Sequence, residues 1–226
     1  MIEALDSGGK ISLEIGRRDS LYVRRDKLIQ GDRSTRVSVS VPAPFSAAAA
    51  RLFRKSYVMQ RVSTKGGQSG RIHLTCPGGK QFVALRLSGA DTLSVSLSHV
   101  VAYSRGIQFA SMANLSIAAF ACDRNFTTTV TGTGMVVFET SGNHQIHTSG
   151  SCVFDPNQLV AWNADATFTL DEVHSVTDLY FNRVRISCEV GRQGAPLIID
   201  SVPKSGAVSA NPLLGFIRSI YLPKFR

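Results

Sequence analysis

The sequence predicts an all-β protein made of repeated, mostly antiparallel units that form a roll, a barrel or stacked sheets. One observation is alternation: in "TLSVSLSHVV" (92–101) an apolar residue recurs at every second position, the period of a strand with one buried face. A second is punctuation, since Gly, Asn, Asp and Ser interrupt the apolar runs at short intervals, as in "KGGQSG" (65–70). A third is that one strand pattern recurs along the chain. Short, repeated strands with such turns are typical of all-β architectures.

The repeat is visible without gaps. "LSVSLSHVVAY" (93–103) aligns on "CVFDPNQLVAW" (152–162) at an offset of 59, and a fainter third copy, "LYVRRDKLIQG" (21–31), lies at an offset of 72. The two later copies share a lead-in, "GRIHLTCPGG" (70–79) and "GMVVFETSGN" (134–143). Since duplicated β units pack their copies on a common core, we expect the matched apolar and aromatic residues to be buried: Val100, Val101, Ala102, Tyr103, Leu159, Val160, Ala161 and Trp162.

Further strands are predicted at "RVSVSV" (36–41), "FVALRL" (82–87) and "FTTTV" (126–130). Two segments break the β pattern and predict short helical inserts near 46–56, where Ser46 can cap an alanine run, and near 112–122. The predicted organisation is one repeated β domain over 1–210. Its units fall at about 15–43, 57–110 and 124–170, with a remainder at 171–210.

Composition indicates a folded globular protein, because 226 residues with 43% apolar and 18% charged side chains can build a real core. The longest apolar run, "NLSIAAFAC" (114–122), is too short to span a membrane. The first residues lack the basic start and apolar core of a signal peptide. The expected location is therefore cytoplasmic, either free or peripheral to a membrane, and not secreted.

No catalytic or metal-binding pattern stands out. The four cysteines lie far apart with no CxxC spacing, which predicts buried free thiols and not a zinc ribbon. His99, beside an apolar pair, is expected to be a hydrogen-bonded residue at a strand end, and Asp155-Pro156-Asn157 is typical of a turn. We therefore expect no enzyme activity, no cofactor and no metal.

Charge is distributed unevenly along the chain: residues 1–71 carry a net +8, whereas 111–180 carry −6. Three interpretations stay open: a solvated surface, a basic face for phosphate-bearing partners, or complementary faces that meet between subunits. In either of the last two interpretations, the candidate partner-binding residues are the clustered cations Arg17, Arg18, Arg24, Arg25, Lys27, Arg51, Arg54 and Lys55.

The C-terminal segment "NPLLGFIRSIYLPKFR" (211–226) is predicted to form a short amphipathic helix, capped by Asn211 with Pro212 in its first turn. It either closes on the protein's own core or acts as a docking segment for a partner or a membrane surface. Its candidate docking residues are Leu213, Phe216, Ile217, Ile220 and Tyr221.

Three stretches resemble the family named for altered inheritance of mitochondria, protein 24: residues 52–109 ("LFRKSYVMQ…" to "…SRGIQF"), "GTGMVVFETSGN" (132–143) and "GSCVFDPNQLVAWNADATFTL" (150–170). The similarity extends in order over about residues 45–170. It implies a β-rich fold similar to the tryptophan RNA-binding attenuation protein, and no established enzyme activity. Family members are associated with mitochondrial organisation or are bacterial proteins without a known function.

These observations predict a non-enzymatic structural or scaffolding protein. It would oligomerise, or dock through protein partners as an accessory subunit on a larger assembly, with or without contact to a membrane. The alternative is a nucleic-acid-binding protein that uses the basic N-terminal third; it is the weaker of the two, because no basic and aromatic residues interleave as they do in a stacking sheet.

Overall fold

The computed structural model describes residues 3–6, 9–40, 59–66, 68–76, 78–113, 126–164, 166, 168–171, 185–190 and 196–202. The described residues form strands and two 3-10 turns, Leu97–His99 and Pro156–Gln158, and they contain no α-helix. The strands are β1 Glu3–Asp6, β2 Lys10–Ile15, β3 Ser20–Arg24, β4 Leu28–Gly31, β5 Thr35–Ser40, β6 Met59–Thr64, β7 Gly70–Thr75, β8 Gln81–Ser88, β9 Leu93–Val95, β10 Val100–Ser104, β11 Ile107–Ala113, β12 Phe126–Thr140, β13 His144–His147, β14 Gly150–Phe154, β15 Leu159–Asn163, β16 Phe168–Asp171, β17 Arg185–Val190 and β18 Leu197–Asp200.

The strands pair antiparallel in three sheets, which confirms the all-β prediction. The largest sheet runs in the order β13-β18-β15-β9-β12-β10-β3-β6-β5, with β1, β8 and β11 attached beside this path. Two smaller sheets have the orders β2-β7-β4 and β14-β17-β16. Segments distant in sequence therefore interlock: β2 pairs with β7, and β18 pairs with β15.

One long strand, β12, joins the two halves of the large sheet. Its first part pairs with β11 and β9, and its second part pairs with β8 and β10. The change of partner falls where Gly132 has φ +101° and Gly134 has φ +150°, a backbone region that side chains disfavour. A Cβ on Gly132 would also collide with the carbonyl oxygen of Gly106. Glycine at this point lets β12 bend from one set of partners to the other.

The repeat predicted from the sequence is present in the backbone, including its faint third copy. At the three aligned turns the same hydrogen bond closes the loop: Lys27 N donates to Arg24 O, His99 N to Ser96 O, and Gln158 N to Asp155 O. The strand that follows each turn carries an irregularity in pairing at the same aligned place, namely Leu28/Gln30, Val100/Ala102 and Leu159/Ala161. The three copies therefore share the same backbone turn and the same irregularity in strand pairing, although their side chains differ.

Three apolar clusters hold the sheets together. One lies at the centre of the large sheet around Phe138 and Tyr103, a second lies under sheet β2-β7-β4, and a third lies under sheet β14-β17-β16. All eight residues predicted to be buried are buried: Val100, Val101, Ala102, Tyr103, Leu159, Val160, Ala161 and Trp162. The repeated motif is thus a signature of the core.

The predicted insert at 46–56 and the C-terminal segment 211–226 lie outside the described residues. Of the second predicted insert, 112–122, the first two residues belong to strand β11, where Met112 pairs with Thr127, and the rest lie outside. Pairing with β12 thus keeps residues 112–113 in a strand. Among the described residues no helix is long and apolar enough to cross a membrane.

Candidate functional site

The end of the large sheet that carries the β2–β3 turn is strongly basic, and we call it the basic end. It consists of the exposed side chains of Arg17, Arg18, Arg33, Lys65 and Arg105. Each follows or precedes a strand in the run β10-β3-β6-β5, and pairing brings these strand ends together: Ser104 lies opposite Leu21, Ser20 opposite Ser63, and Thr64 opposite Thr35.

Backbone hydrogen bonds lock the turns of the basic end to one another. Arg105 N donates to Ser20 O over 3.0 Å, and Lys65 N donates to Ser34 O over 2.7 Å. Because neighbouring strands lie about 4.8 Å apart, the four strand ends extend over about 15 Å. The cations therefore form a row of defined length on a rigid edge.

Few carboxylates balance this row. Within the described residues none of the five cations forms an ion pair. Two acids lie in the same turns, and both are used by the backbone: Asp19 Oδ1 accepts from Ser20 N, and Asp32 Oδ2 accepts from Arg71 N. Five cations and two carboxylates leave a local charge of +3.

Arg18 has an unusual backbone conformation in this row. It is the only described residue other than glycine with a positive φ, at 63°, and it lies in the turn closed by the Asp19 N to Gly16 O hydrogen bond. A side chain in this region costs about 1–3 kcal/mol, and such conformations cluster at functional positions. The turn holds Arg18 at the tip of the basic end at a cost to stability.

Two other predicted partner-binding residues have a different role, which is a correction to the sequence analysis. Lys27 is buried, and its Nζ donates to Glu139 Oε1 over 2.9 Å. Arg24 forms a bidentate ion pair with Asp26, and its Nη1 lies 3.5 Å from Glu139 Oε2. Lys27 is therefore an interior residue, whereas Arg24 is half-buried between the exposed Asp26 and the buried Glu139.

The remaining predicted residues divide in two groups. Arg25 is exposed in the turn after β3, at the opposite end of that strand from Arg18. The other members lie outside the described residues: Arg51, Arg54, Lys55, Leu213, Phe216, Ile217, Ile220 and Tyr221. Conversely, the sequence analysis missed Arg33, Lys65 and Arg105, because only strand pairing brings their separate turns to the same end.

The cluster around Glu139 is built for stability. Lys80 Nζ adds a third cation, 2.7 Å from Glu139 Oε1. Burial opposes ionisation of Glu139 and is the largest single effect, but the hydrogen bonds from Lys80 and Lys27 together hold its pKa below the ordinary value. Burial, with help from the charge of Glu139, raises the pKa of neighbouring Cys76 to about 11. A carboxylate whose pKa is lowered is a weak base. A thiol with a pKa of about 11 is almost entirely protonated at neutral pH, so it is a weak nucleophile there.

Several expectations about single residues are confirmed. His99 is buried at a strand end, and its Nδ1 donates to the Glu139 carbonyl oxygen over 2.8 Å. The Asp155-Pro156-Asn157 turn is held by Asn157 N donating to Asp155 Oδ1 over 2.8 Å. Three cysteines are free thiols: Cys76 and Cys188 are buried as expected, whereas Cys152 is partly exposed, and Cys122 lies outside the described residues.

The outer face of sheet β2-β7-β4 holds a shallow depression of about 360 Å³. Ser12 lies opposite His73, and Gln30 lies opposite His73 from the other side. An activated serine needs a base within about 2.6–3.2 Å, and within the described residues no hydrogen bond joins Ser12 to His73. The described residues also hold no group of three metal-ligating side chains.

Comparison with known proteins places the fold. A crystal structure of a Streptococcus pyogenes protein superposes with a TM-score of 0.62 at 14% sequence identity, covering 90% of this chain and 94% of that one. At this identity the similarity shows a shared fold alone. No curated protein matches the sequence at a significant level. The family model described as mitochondrial biogenesis AIM24 matches residues 8–195. That match spans most of the described sheets, and the chain belongs to the mitochondrial biogenesis AIM24 family.

Proposed function

We propose that this protein is a non-enzymatic structural subunit that docks on a larger assembly through its basic end. The observation that carries the proposal is the row of exposed cations without carboxylate partners among the described residues, held on four hydrogen-bonded strand ends. A row of positive charges attracts a partner with an anionic surface and orients that partner as it approaches.

The internal chemistry supports a structural role. The buried carboxylate of Glu139 is neutralised by Lys27, and Arg24, 3.5 Å from Glu139, is itself paired with Asp26. Buried charge clusters of this kind fix how elements pack, since an unpaired member would be costly. The cations of the basic end, in contrast, are exposed and available for a partner.

The test measures the native mass of the protein in extracts of its own cells. We expect the wild-type chain to migrate in a complex well above its own 24.4 kDa. The double variant Arg17→Glu with Arg18→Glu should migrate near the mass of the free chain. Lys10→Glu is the matched control: Lys10 is exposed at the far end of β2 from Arg17, and its variant should stay in the complex.

Two outcomes would overturn the proposal. One is a wild-type chain that migrates as a free protein at low salt. The other is a double variant that stays in the complex as the wild type does. Because exposed charges are screened over about 8–10 Å at physiological salt, the complex should also loosen as salt rises.

Nucleic acid is the second candidate partner, favoured by the linear form of the row. A nucleic-acid strand carries a charge about every 3.4 Å, so it could follow a straight row of cations. Two described aromatic residues that could stack on bases are instead internal: Tyr103 is buried and stacked on Tyr22 at a centroid distance of 4.9 Å, and Trp162 is buried. Binding would then involve phosphates alone. Loss of the complex after nuclease treatment of the extract would favour this candidate over a protein partner.

A further inference from the structure

Cys152 and Cys188 lie directly opposite each other in strands β14 and β17. Residues that face each other in an antiparallel pair point to the same side of the sheet, with Cα atoms about 4.5–5.5 Å apart. A disulfide needs a Cα separation of about 4.4–6.8 Å. The two thiols are therefore within bonding reach without any movement of the strands. Both are free, and Cys152 Sγ lies 3.8 Å from Cys188 O.

The two thiols differ in access to solvent. Cys188 is 2% exposed and belongs to the apolar cluster under the sheet, whereas Cys152 is partly exposed at its margin. A dissolved reagent can reach Cys152 first. Cys188 is then positioned as the second thiol, shielded from the same reagent by the cluster.

We propose that Cys152 and Cys188 form a redox-sensitive site, in which a low-molecular-weight disulfide oxidises the pair to a cross-strand disulfide that clamps β14 to β17. In the first step the Cys152 thiolate attacks one sulfur of the small disulfide, forms a mixed disulfide and releases one thiolate. In the second step Cys188 loses its proton to solvent and attacks Cys152 Sγ, releasing the second small thiolate. Two protein hydrogens and one small disulfide thus become one protein disulfide and two small thiols.

The pKa values of the two thiols predict how the rate of their oxidation depends on pH. Burial raises the pKa of both thiols, and the neighbouring Cys152 adds to the effect on Cys188, whose pKa rises to about 11. Since thiolates are the attacking species, oxidation should be slow at neutral pH and faster at higher pH. The new bond would close a loop over residues 152–188, which should limit unfolding of the sheet.

The experiment treats the folded full-length chain with oxidised glutathione at pH 8.5 and maps the disulfides by peptide mass spectrometry. We expect a Cys152–Cys188 linked peptide, a loss of two hydrogens from the intact mass and a melting temperature raised by about 5–10 °C. The variant Cys188→Ala should stop at a glutathione adduct on Cys152, and Cys152→Ala should take up no glutathione at Cys188.

The matched control removes the other two cysteines together, as Cys76→Ser with Cys122→Ser, and should form the link as the wild type does. The proposal is wrong if the wild type stops at the adduct, if it reacts only when unfolded, or if the link joins a different pair. A Cys152–Cys188 disulfide that leaves the melting temperature unchanged would contradict the proposal that this bond clamps β14 to β17. Should Cys188→Ala fail to fold, the four-cysteine chain and the double-serine control still decide the pairing.

Discussion

Lys27 and His99 occupy the same position in two copies of the repeat, and both hydrogen-bond the same residue, Glu139. Lys27 donates from Nζ to the Glu139 carboxylate, and His99 donates from Nδ1 to the Glu139 carbonyl oxygen. In the copy at 152–162 Gln158 has this position and donates from Nε2 to Ser201 O over 3.3 Å. The three copies therefore share the backbone turn and differ in the side chain at this position, which is buried for Lys27 and His99 and partly exposed for Gln158.

Replacing Glu139 by glutamine should cost about 3 kcal/mol of unfolding free energy. The change removes the Glu139 carboxylate from the buried Lys27, whose other acidic partner among the described residues is Asp26 at 3.7 Å. Breaking a buried ion pair costs about 3–5 kcal/mol. Urea unfolding followed by circular dichroism measures the loss. Lys80→Gln is the control: the Lys80 side chain is 42% exposed, against a buried Lys27, so its loss should cost less, about 1 kcal/mol. Equal costs for the two variants would contradict this account of the cluster.

Acid should destabilise the protein partly through Glu139. Its pKa in the folded state lies below the ordinary value of 4.5, so the ionised group contributes stability above about pH 4.5. That contribution is lost as the pH falls from there toward the folded-state pKa. We expect the unfolding free energy of the wild type to fall more steeply between pH 5 and 3 than that of Glu139→Gln, as measured by urea titration at each pH. Parallel curves would show that Glu139 carries no such linkage.

Gly132→Ala should cost about 3 kcal/mol, because the added Cβ meets both a disfavoured φ and the Gly106 carbonyl. Gly66 offers a matched control, since its φ is also positive, at 63°, but the space around it is open. Gly66→Ala should cost only about 1 kcal/mol. Chemical denaturation of both variants tests whether close approach adds to backbone strain; similar losses would mean that it does not.

Arg18→Gly should stabilise the fold and weaken docking at the same time. Glycine relieves the positive φ of Arg18, which should raise the unfolding free energy by about 0.5–1 kcal/mol, while the basic end loses one cation. Arg17→Gly removes the same charge with no such relief, so it should weaken docking without added stability. Thermal unfolding and native mass in extracts measure the two effects. An Arg18→Gly protein that is no more stable than Arg17→Gly would refute the strain argument.

Deleting residues 211–226 should leave a folded domain that no longer joins its assembly. The segment carries the predicted apolar stripe of Leu213, Phe216, Ile217 and Ile220, and so short a helix needs something to pack against. Circular dichroism and native mass of the truncated chain provide the test. An unfolded truncated protein would instead assign the segment to the protein's own core, and an unchanged complex would exclude a docking role.

The sequence by itself determined the fold class, the repeat and much of the core. The alternation in 92–101 and the matched motifs at 93–103 and 152–162 identify strands because a period of two places every second side chain on one face. The turn at Asp155 was also predictable, because its hydrogen bond joins residues only two positions apart. The position of His99 at a strand end followed from its neighbours in sequence, whereas its hydrogen-bond partner, the Glu139 carbonyl oxygen, lies 40 residues away and was set by the tertiary structure.

The tertiary structure determined where the charged side chains and the thiols lie and which groups they meet. In the sequence Lys27 is one cation of a basic run, but folding places it against Glu139, 112 residues away, in the interior. Cys152 and Cys188 are separated by 36 residues, and only the register of β14 with β17 sets them face to face. Arg18, Arg33, Lys65 and Arg105 come from four separate turns, and pairing alone gathers them. Periodicity specifies which face of a strand is buried, whereas strand order and register specify which distant side chains meet, and these depend on the whole chain.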